Sequence, residues 1–116
     1  MTYRVITIPA AKQRIRDQAA YIATEQDDPV RAARWLQSVF DKIDSLAQMP
    51  RKYQTAAETE WRDYEIRRMR LGQFLFFYTI VEETKAVWVI HAKHTRQLTR
   101  LEDLPAELED LDDGQA

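Results

Sequence analysis

Residues 64–81 of this 116-residue chain, YEIRRMRLGQFLFFYTIV, decide the fold. Two runs of strand length and strand composition meet at Gly72-Gln73, and a glycine between such runs is typical of a β-hairpin. Residues 82–85, EETK, form a second polar break, and the apolar residues 86–92 follow it. The sequence therefore predicts three antiparallel strands, over residues 64–71, 74–81 and 86–92, joined as a meander.

Upstream of the meander, the sequence predicts a strand and a helical hairpin. Residues 3–8 are mostly β-branched and end at Pro9, which favours a short strand. The spacing of Ile15, Ala19 and Ile22 predicts a first helix. The pair Asp28-Pro29 combines an N-cap residue with a proline at the first helical position, so a second helix begins there. Its apolar stripe has seven members, Ala32, Leu36, Val39, Phe40, Ile43, Leu46 and Ala47.

These elements predict one α+β fold of order β-α-α-β-β-β. The short connection between the helices favours an antiparallel hairpin, and its apolar stripes should cover one face of the sheet. We assign residues 1–97 to this domain and treat 51–63 as a loop. Residues 98–116 are expected to form an acidic tail, beginning as a short helix and then becoming disordered.

Composition limits the chemistry that the chain can carry. Hydrophobic residues make up 45% and charged residues 31%, which is typical of a globular protein. Cysteine is absent and there are two histidines, so we expect no metal site and no cofactor. No apolar run approaches the roughly 20 residues that span a bilayer, and the N-terminus is unlike a signal peptide. We expect a cytoplasmic protein.

Charge is divided between the body and the tail. Residues 1–100 hold all 17 basic and 12 of the 19 acidic residues, a net +5, and residues 101–116 hold the other seven acids, a net −7. Such a division favours an anionic target or an acidic partner. Leu101, Leu104 and Leu108 are spaced for one helical face, so we predict that the tail docks on the sheet. Its acids should then lie near four basic residues, Arg67, Arg70, Lys93 and Arg96.

Three blocks of the sequence resemble the RelE/ParE superfamily of type II toxin–antitoxin toxins, and its ParE (plasmid-stabilisation) branch in particular. The first is the helical hairpin of residues 21–50, which ends in Pro50. The second is the strand, glycine turn and aromatic of residues 64–74. The third joins Phe77-Tyr78 to the closing strand, residues 87–93, which contains His91. The resemblance covers residues 3–97 and implies the same α+β fold.

The superfamily contains ribosome-dependent ribonucleases of the RelE type and gyrase inhibitors of the ParE type. The basic and tyrosine positions of the RelE nucleases fall here on Glu65, Arg67, Leu75, Thr95 and Leu101. Of these, only Arg67 keeps the required chemistry, since metal-free RNA cleavage needs a base, an acid and cations around the phosphate. The resemblance therefore implies a toxin that binds its target and has no catalytic residues.

Two alternatives stay open at this point. The first is an mRNA interferase that uses Arg67, His91, Lys93 and His94. However, residues 91 and 94 point to opposite faces of a strand, so they would not share one pocket. The second is a detoxified relative that only binds its antitoxin.

As a ParE-like toxin, the chain is expected to bind DNA gyrase and a ParD-like antitoxin, with no membrane partner and no sequence-specific DNA binding of its own. The target-binding candidates are Arg67, Arg70, Lys93 and Arg96. The antitoxin-binding candidates are Arg14, Arg31, Arg34 and Trp35, although Trp35 suits either an interface or the edge of the core. Strand alternation separates Arg67 from Arg68 and Arg70, and we predict the latter two at the rim of the helix-covered face because they share parity with Ile66.

Overall fold

The computed structural model describes residues 2–111, which form one four-stranded sheet with a helical hairpin on one face and the C-terminal segment on the other. The predicted α+β architecture is confirmed. The elements are β1 (Arg4–Thr7), α1 (Pro9–Thr24), α2 (Pro29–Asp44), β2 (Arg67–Leu71), β3 (Phe74–Val81) and β4 (Ala86–His94). Short 3₁₀ turns lie at Ser45–Ala47, Ala57–Trp61, Glu82–Thr84, Leu101–Asp103 and Leu108–Asp110.

The helical hairpin forms where the local signals predicted it. Pro9 and Pro29 occupy the first turns of α1 and α2, and the Asp28 side chain accepts a hydrogen bond from the backbone N–H of Arg31 at 2.9 Å. A buried stripe on each helix faces the sheet, made by Ala11, Ile15, Ala19 and Ile22 in α1 and by Ala32, Val39 and Ile43 in α2. Phe40 is an exception, because half of its surface (51%) stays exposed.

The sheet is mixed, with strand order β1-β4-β3-β2. Strands β2, β3 and β4 form the predicted antiparallel meander, and β1 pairs in parallel with β4. Strand β2 begins at Arg67, three residues later than the sequence predicted, because Ile66 bonds to the preceding segment. Its N–H donates to Thr59 Oγ1 at 2.9 Å, and its carbonyl accepts from the N–H of Ala56 at 2.7 Å.

A β-bulge in β4 turns two neighbouring residues toward the same side of the sheet. Phe77 is paired with His91 and Tyr78 with Val89, so Ile90 is the extra residue. Both Ile90 and His91 contact Phe77, on the face away from the helices. A bulge of this kind reverses the side-chain alternation along the rest of the strand.

Apolar side chains pack on both faces of the sheet. The face toward the hairpin contains Phe74, Phe76 and Tyr78, and the buried Tyr78 hydroxyl donates to the Pro50 carbonyl at 2.6 Å. On the opposite face a smaller cluster joins Ala56, Tyr64, Ile66, Phe77, Ile90 and Leu104. Because β3 is covered on both sides, it is almost continuously apolar.

The C-terminal segment forms two 3₁₀ turns where the sequence predicted one short helix. Leu104 is buried (2% exposed) but Leu101 is half exposed (51%), so the predicted common face of the leucines is wrong. Pro105 follows Leu104 directly, and proline removes the backbone donor that a continuing helix needs. The part of the tail from residue 112 onward, where we expect disorder, lies outside the described residues.

Candidate functional site

The three arginines of β2 lie on two different faces of the sheet. Arg67 shares the face of Met69, toward the helices, where its Nε bonds to Glu65 at 2.8 Å and its Nη1 to the Tyr53 carbonyl at 2.7 Å. Arg68 and Arg70 lie on the opposite face. The prediction that placed them beside the helices is wrong, because Ile66 packs under Leu104 and not under the hairpin.

Arg68 and Arg70 line an open groove of about 700 Å³ at one end of this second face. The other lining residues are Lys52, Tyr53, Gln54, Leu75 and Thr95. We call this site the basic groove, because it holds three cations and no carboxylate. Arg70 is held by its Nε, which donates to the Gly72 carbonyl at 2.7 Å. Within residues 2–111, no acidic group lies within 4.0 Å of these three cations.

Sequence reasoning found two of the residues at or beside the basic groove and missed two others. Arg70 lines it, and Lys93 is paired with Leu75 on the same face, its Nζ donating to the Gln97 carbonyl at 2.7 Å. Lys52 and Arg68 were not among the candidates. Both are basic residues that flank the segment 54–66, and this was the only feature of the sequence that could have singled them out. That residues 52–54 lie along β2 is shown only by the fold.

His91 lies on the same face but is enclosed. Its ring stacks on Phe77 with 5.6 Å between centroids, and it is 2% exposed. The Asp103 carboxylate lies 4.0 Å from His91 Nε2 and 3.3 Å from Arg14 Nη2. Burial lowers the pKa of His91 to about 4, with Arg14 and Lys93 adding to the effect and Asp103 opposing it. At neutral pH the ring is therefore uncharged and shielded from any ligand in solution.

His94 lies on the helix-covered side, as strand alternation predicts for two residues three positions apart. It lines a groove of about 440 Å³ together with Arg31, Trp35 and Gly72, which we call the turn groove. Its Nδ1 accepts a hydrogen bond from the backbone N–H of Arg96 at 3.2 Å. The two histidines consequently serve different surfaces, and neither lines the basic groove.

The four antitoxin-binding candidates are distributed over the hairpin. Arg31 and Trp35 line the turn groove, where Trp35 packs edge-on against Phe74 with 5.2 Å between ring centroids. Trp35 therefore flanks the core beside the Gly72 turn. Arg34 is exposed on α2, whereas Arg14 forms its ion pair with Asp103 of the tail.

A further groove of about 350 Å³ runs between α1 and α2, and sequence reasoning did not find it. Its floor contains Ile15, Leu36, Phe40 and Ile43, and Lys12 and Arg16 lie at its rim. We call it the hairpin groove. One feature of the sequence does indicate this groove. Val39 and Phe40 are adjacent, and because adjacent residues of a helix point in different directions, both cannot face the core.

The tail is held on the sheet by its leucine and by the backbone, and not by the cations that the sequence suggested. Arg62 Nη2 donates to the carbonyls of Leu101 and Leu104, each at 2.9 Å, and the Tyr64 hydroxyl donates to the Pro105 carbonyl at 2.5 Å. Asp103 pairs with Arg14. Among the described residues, no tail carboxylate forms an ion pair with the four predicted cations, Arg67, Arg70, Lys93 and Arg96.

Neither a metal-binding cluster nor a membrane-spanning helix is found in the part of the chain that the structure describes. In residues 2–111 no group of three or more metal-binding side chains is close enough together to hold an ion. No helix there is long and apolar enough to cross a bilayer.

Comparisons with known proteins identify a family from the sequence and a shared fold from solved structures. A family model described as the ParE toxin of the type II toxin–antitoxin system, parDE, matches residues 5–99. Among solved structures, the RelBE2 toxin–antitoxin complex from Mycobacterium tuberculosis has a TM-score of 0.59 at 17% identity, covering 81% of this chain and 92% of that chain. The archaeal RelE–RelB complex from Pyrococcus horikoshii OT3 has a TM-score of 0.50 at 22% identity, covering 84% and 100%. No curated protein is significantly similar in sequence.

Proposed function

The chain belongs to the ParE toxin family of type II toxin–antitoxin systems, and from that premise we propose that it arrests growth by binding DNA gyrase without cutting nucleic acid itself. A ParD-like antitoxin, bound along the helical hairpin, neutralises it. The cytoplasm is the compartment in which both partners meet.

The composition of the basic groove is the observation that carries the non-catalytic part of the proposal. Cleavage of RNA without a metal needs groups that take and give a proton at neutral pH, in addition to cations. The basic groove is lined by the cations Lys52, Arg68 and Arg70 and by Tyr53 and Leu75, and no histidine or carboxylate is among its described lining residues. His91, the histidine on that face, is buried, with its ring stacked on Phe77 and its Nε2 4.0 Å from the Asp103 carboxylate of the tail. The groove is therefore suited to hold an anion, and its described lining lacks the histidine and the carboxylates that most often move protons at neutral pH.

The antitoxin part of the proposal is supported by the two grooves on the hairpin. The hairpin groove has an apolar floor with cations at the rim, and the turn groove presents Arg31 and Trp35. An amphipathic segment with acidic residues is complementary to both. The two similar structures are a RelBE2 toxin–antitoxin complex and a RelE–RelB complex, so an antitoxin partner is in keeping with this fold.

Two assays with the purified toxin test the proposed target. The first measures DNA supercoiling by gyrase, and the second measures cleavage of messenger RNA on ribosomes. We expect inhibited supercoiling and intact message. Cleaved message would overturn the proposal in favour of an mRNA interferase, and the His91→Ala variant would then show whether this histidine takes part. Unaffected supercoiling together with intact message would overturn the proposal in favour of a detoxified relative.

Paired variants on the hairpin test the antitoxin surface. Phe40→Ala removes the largest exposed apolar side chain of the hairpin groove, and Trp35→Ala removes the half-buried indole that lines the turn groove. Each should weaken the antitoxin by tenfold or more, as about 1.4 kcal/mol or more is typical of a buried aromatic contact. Met49→Ala serves as the control, because Met49 is an apolar side chain as exposed as Phe40 and lies outside both grooves. Unchanged affinity in both aromatic variants would place the antitoxin elsewhere.

A further inference from the structure

The second face of the sheet is divided into two unlike halves. The tail covers the apolar half, where Leu104 belongs to the buried cluster that contains Phe77 and Ile90. Two later leucines of the tail, Leu108 and Leu111, pack against the same cluster. The other half, at the Gly72 end of the strands, is the basic groove, and the described tail residues do not line it. One half of the face is thus closed within the protein, and the other is left open to a ligand.

The cations of the open half are arranged in a regular way. Arg68 and Arg70 are two residues apart on one strand and share a face, which separates their Cα atoms by about 6.6 Å. That spacing is comparable to the distance between neighbouring phosphates along a nucleic-acid strand. The bond from Arg70 Nε to the Gly72 carbonyl fixes this guanidinium and leaves both of its Nη groups to donate.

The rest of the groove is suited to a sugar–phosphate chain. Lys52 supplies a third cation from the segment beside β2, and Leu75, which is paired with Arg70, is an apolar member of the lining. The Gln54 side chain adds a neutral donor. A protein ligand of ordinary interface size would need an apolar centre with aromatic anchors, which this groove lacks apart from Tyr53.

We propose that the basic groove is a phosphate-backbone site, in which Lys52, Arg68 and Arg70 hold the phosphodiester chain of a nucleic acid independently of its sequence. The inference deepens the proposed function and rests on it in one respect. In a complex with gyrase the ligand is the DNA that gyrase holds, so the toxin contacts DNA as well as protein.

Direct binding of oligonucleotides tests the site without gyrase. Fluorescence anisotropy with labelled duplex DNA, single-stranded DNA and RNA measures the affinity of the purified toxin over a range of salt concentrations. Three phosphate contacts give a slope of log affinity against log salt of about −2.7 on duplex DNA and about −2.1 on single strands. Comparison of the three probes identifies which nucleic acid the groove prefers.

Two triple variants with the same loss of charge provide the comparison. Lys52→Gln, Arg68→Gln and Arg70→Gln remove the three cations of the groove. Arg4→Gln, Lys85→Gln and Arg100→Gln remove one lysine and two arginines from exposed positions outside the basic groove, the turn groove and the hairpin groove. The groove variant should lose tenfold or more in affinity and most of the salt slope, whereas the control variant should lose less than threefold. Equal losses would overturn the proposal, since net charge alone would then explain binding.

Two more measurements keep the result interpretable. The Arg68→Lys, Arg70→Lys variant retains the charge and should retain most of the affinity, and urea unfolding of every variant detects a lost fold. Competition with poly-glutamate identifies the ligand class. Displacement of the DNA probe by poly-glutamate at an equal concentration of charges would assign the groove to an acidic protein and overturn the proposal.

The same variants separate this inference from the proposed function. If wild-type toxin inhibits supercoiling but binds no oligonucleotide, gyrase is the target and the phosphate site is wrong. If the groove binds DNA but supercoiling is unaffected, the phosphate site stands and the gyrase proposal fails. If both hold, the groove variant should lose gyrase inhibition together with DNA binding.

Discussion

Replacing His91 by glutamine should flatten the dependence of stability on pH below neutrality. Burial lowers the pKa of His91 to about 4 in the folded protein, from an ordinary value of 6.5. In mildly acidic solution the unfolded chain therefore binds a proton that the folded protein does not bind. The stability due to the neutral ring is fully present above about pH 6.5 and is lost progressively as the pH falls toward about 4.

The size of the effect follows from the shift. At about 1.4 kcal/mol for each pKa unit, the loss over the whole window is about 3 kcal/mol. Near pH 5 the unfolded imidazole is almost fully protonated and the folded one is mostly neutral, so about 2 kcal/mol is already lost. Glutamine takes up no proton. Between about pH 7 and about pH 5, the His91→Gln variant should thus lose about 2 kcal/mol less than the wild type.

Urea unfolding at a series of pH values, followed by tryptophan fluorescence, measures the two profiles. The series should run from about pH 7 to about pH 5, the window in which the two profiles are expected to diverge. His94→Gln is the matched control, because His94 lies on the other side of the sheet and contacts neither Phe77 nor Asp103. Parallel profiles for wild type and His91→Gln would refute the argument from burial.

Three further predictions concern the packing described above. Leu104→Ala should lower the free energy of unfolding in urea by about 2–4 kcal/mol because it removes a buried side chain, whereas Leu101→Ala should cost less than about 0.5 kcal/mol. Tyr78→Phe should cost about 1–3 kcal/mol in the same assay, since the Pro50 carbonyl loses its buried donor. Asp28→Ala should cost about 1 kcal/mol in thermal unfolding followed by circular dichroism, through loss of the α2 cap; an unchanged midpoint would contradict that role.

The elements that depend on local chemistry were predictable from the sequence. Asp28-Pro29 specifies the start of α2, and Gly72, with a φ of 59°, occupies the left-handed region that the turn between β2 and β3 requires. Strand β3 has the predicted bounds. These signals act over a few residues, so no knowledge of the rest of the fold is needed to interpret them.

What the sequence left undetermined depends on distant parts of the chain. Alternation along β2 shows that Arg67 and Arg68 lie on different faces, but it does not show which face the helices cover. When both faces of a sheet are packed, the polar and apolar alternation that would settle the matter disappears. Ile66 is as buried under the tail as it would be under the hairpin, and this is why the position of Arg68 was wrong.

The same reasoning explains what was missed at the candidate site. Lys52 lies beside Arg70 only because residues 52–54 return along β2. The Asp103 carboxylate reaches Arg14 across 89 positions of sequence. Contacts between residues so far apart in the sequence depend on the complete fold, and no short window of sequence predicts them.

The pairing of β1 with β4 also has a consequence during protein synthesis. Thr7 is paired with Val89, and at about 5–20 residues per second a ribosome needs about 4–16 s to add the chain between them. Until β4 has emerged, β1 has no partner in the sheet, and β3 lacks one of its two neighbours. Lys93 lies near the end of β4 and Thr95 directly follows that strand, so both are added after most of β4 has been made. The basic groove is therefore complete only once the chain has been synthesised as far as Thr95, and shorter nascent chains lack the proposed phosphate site.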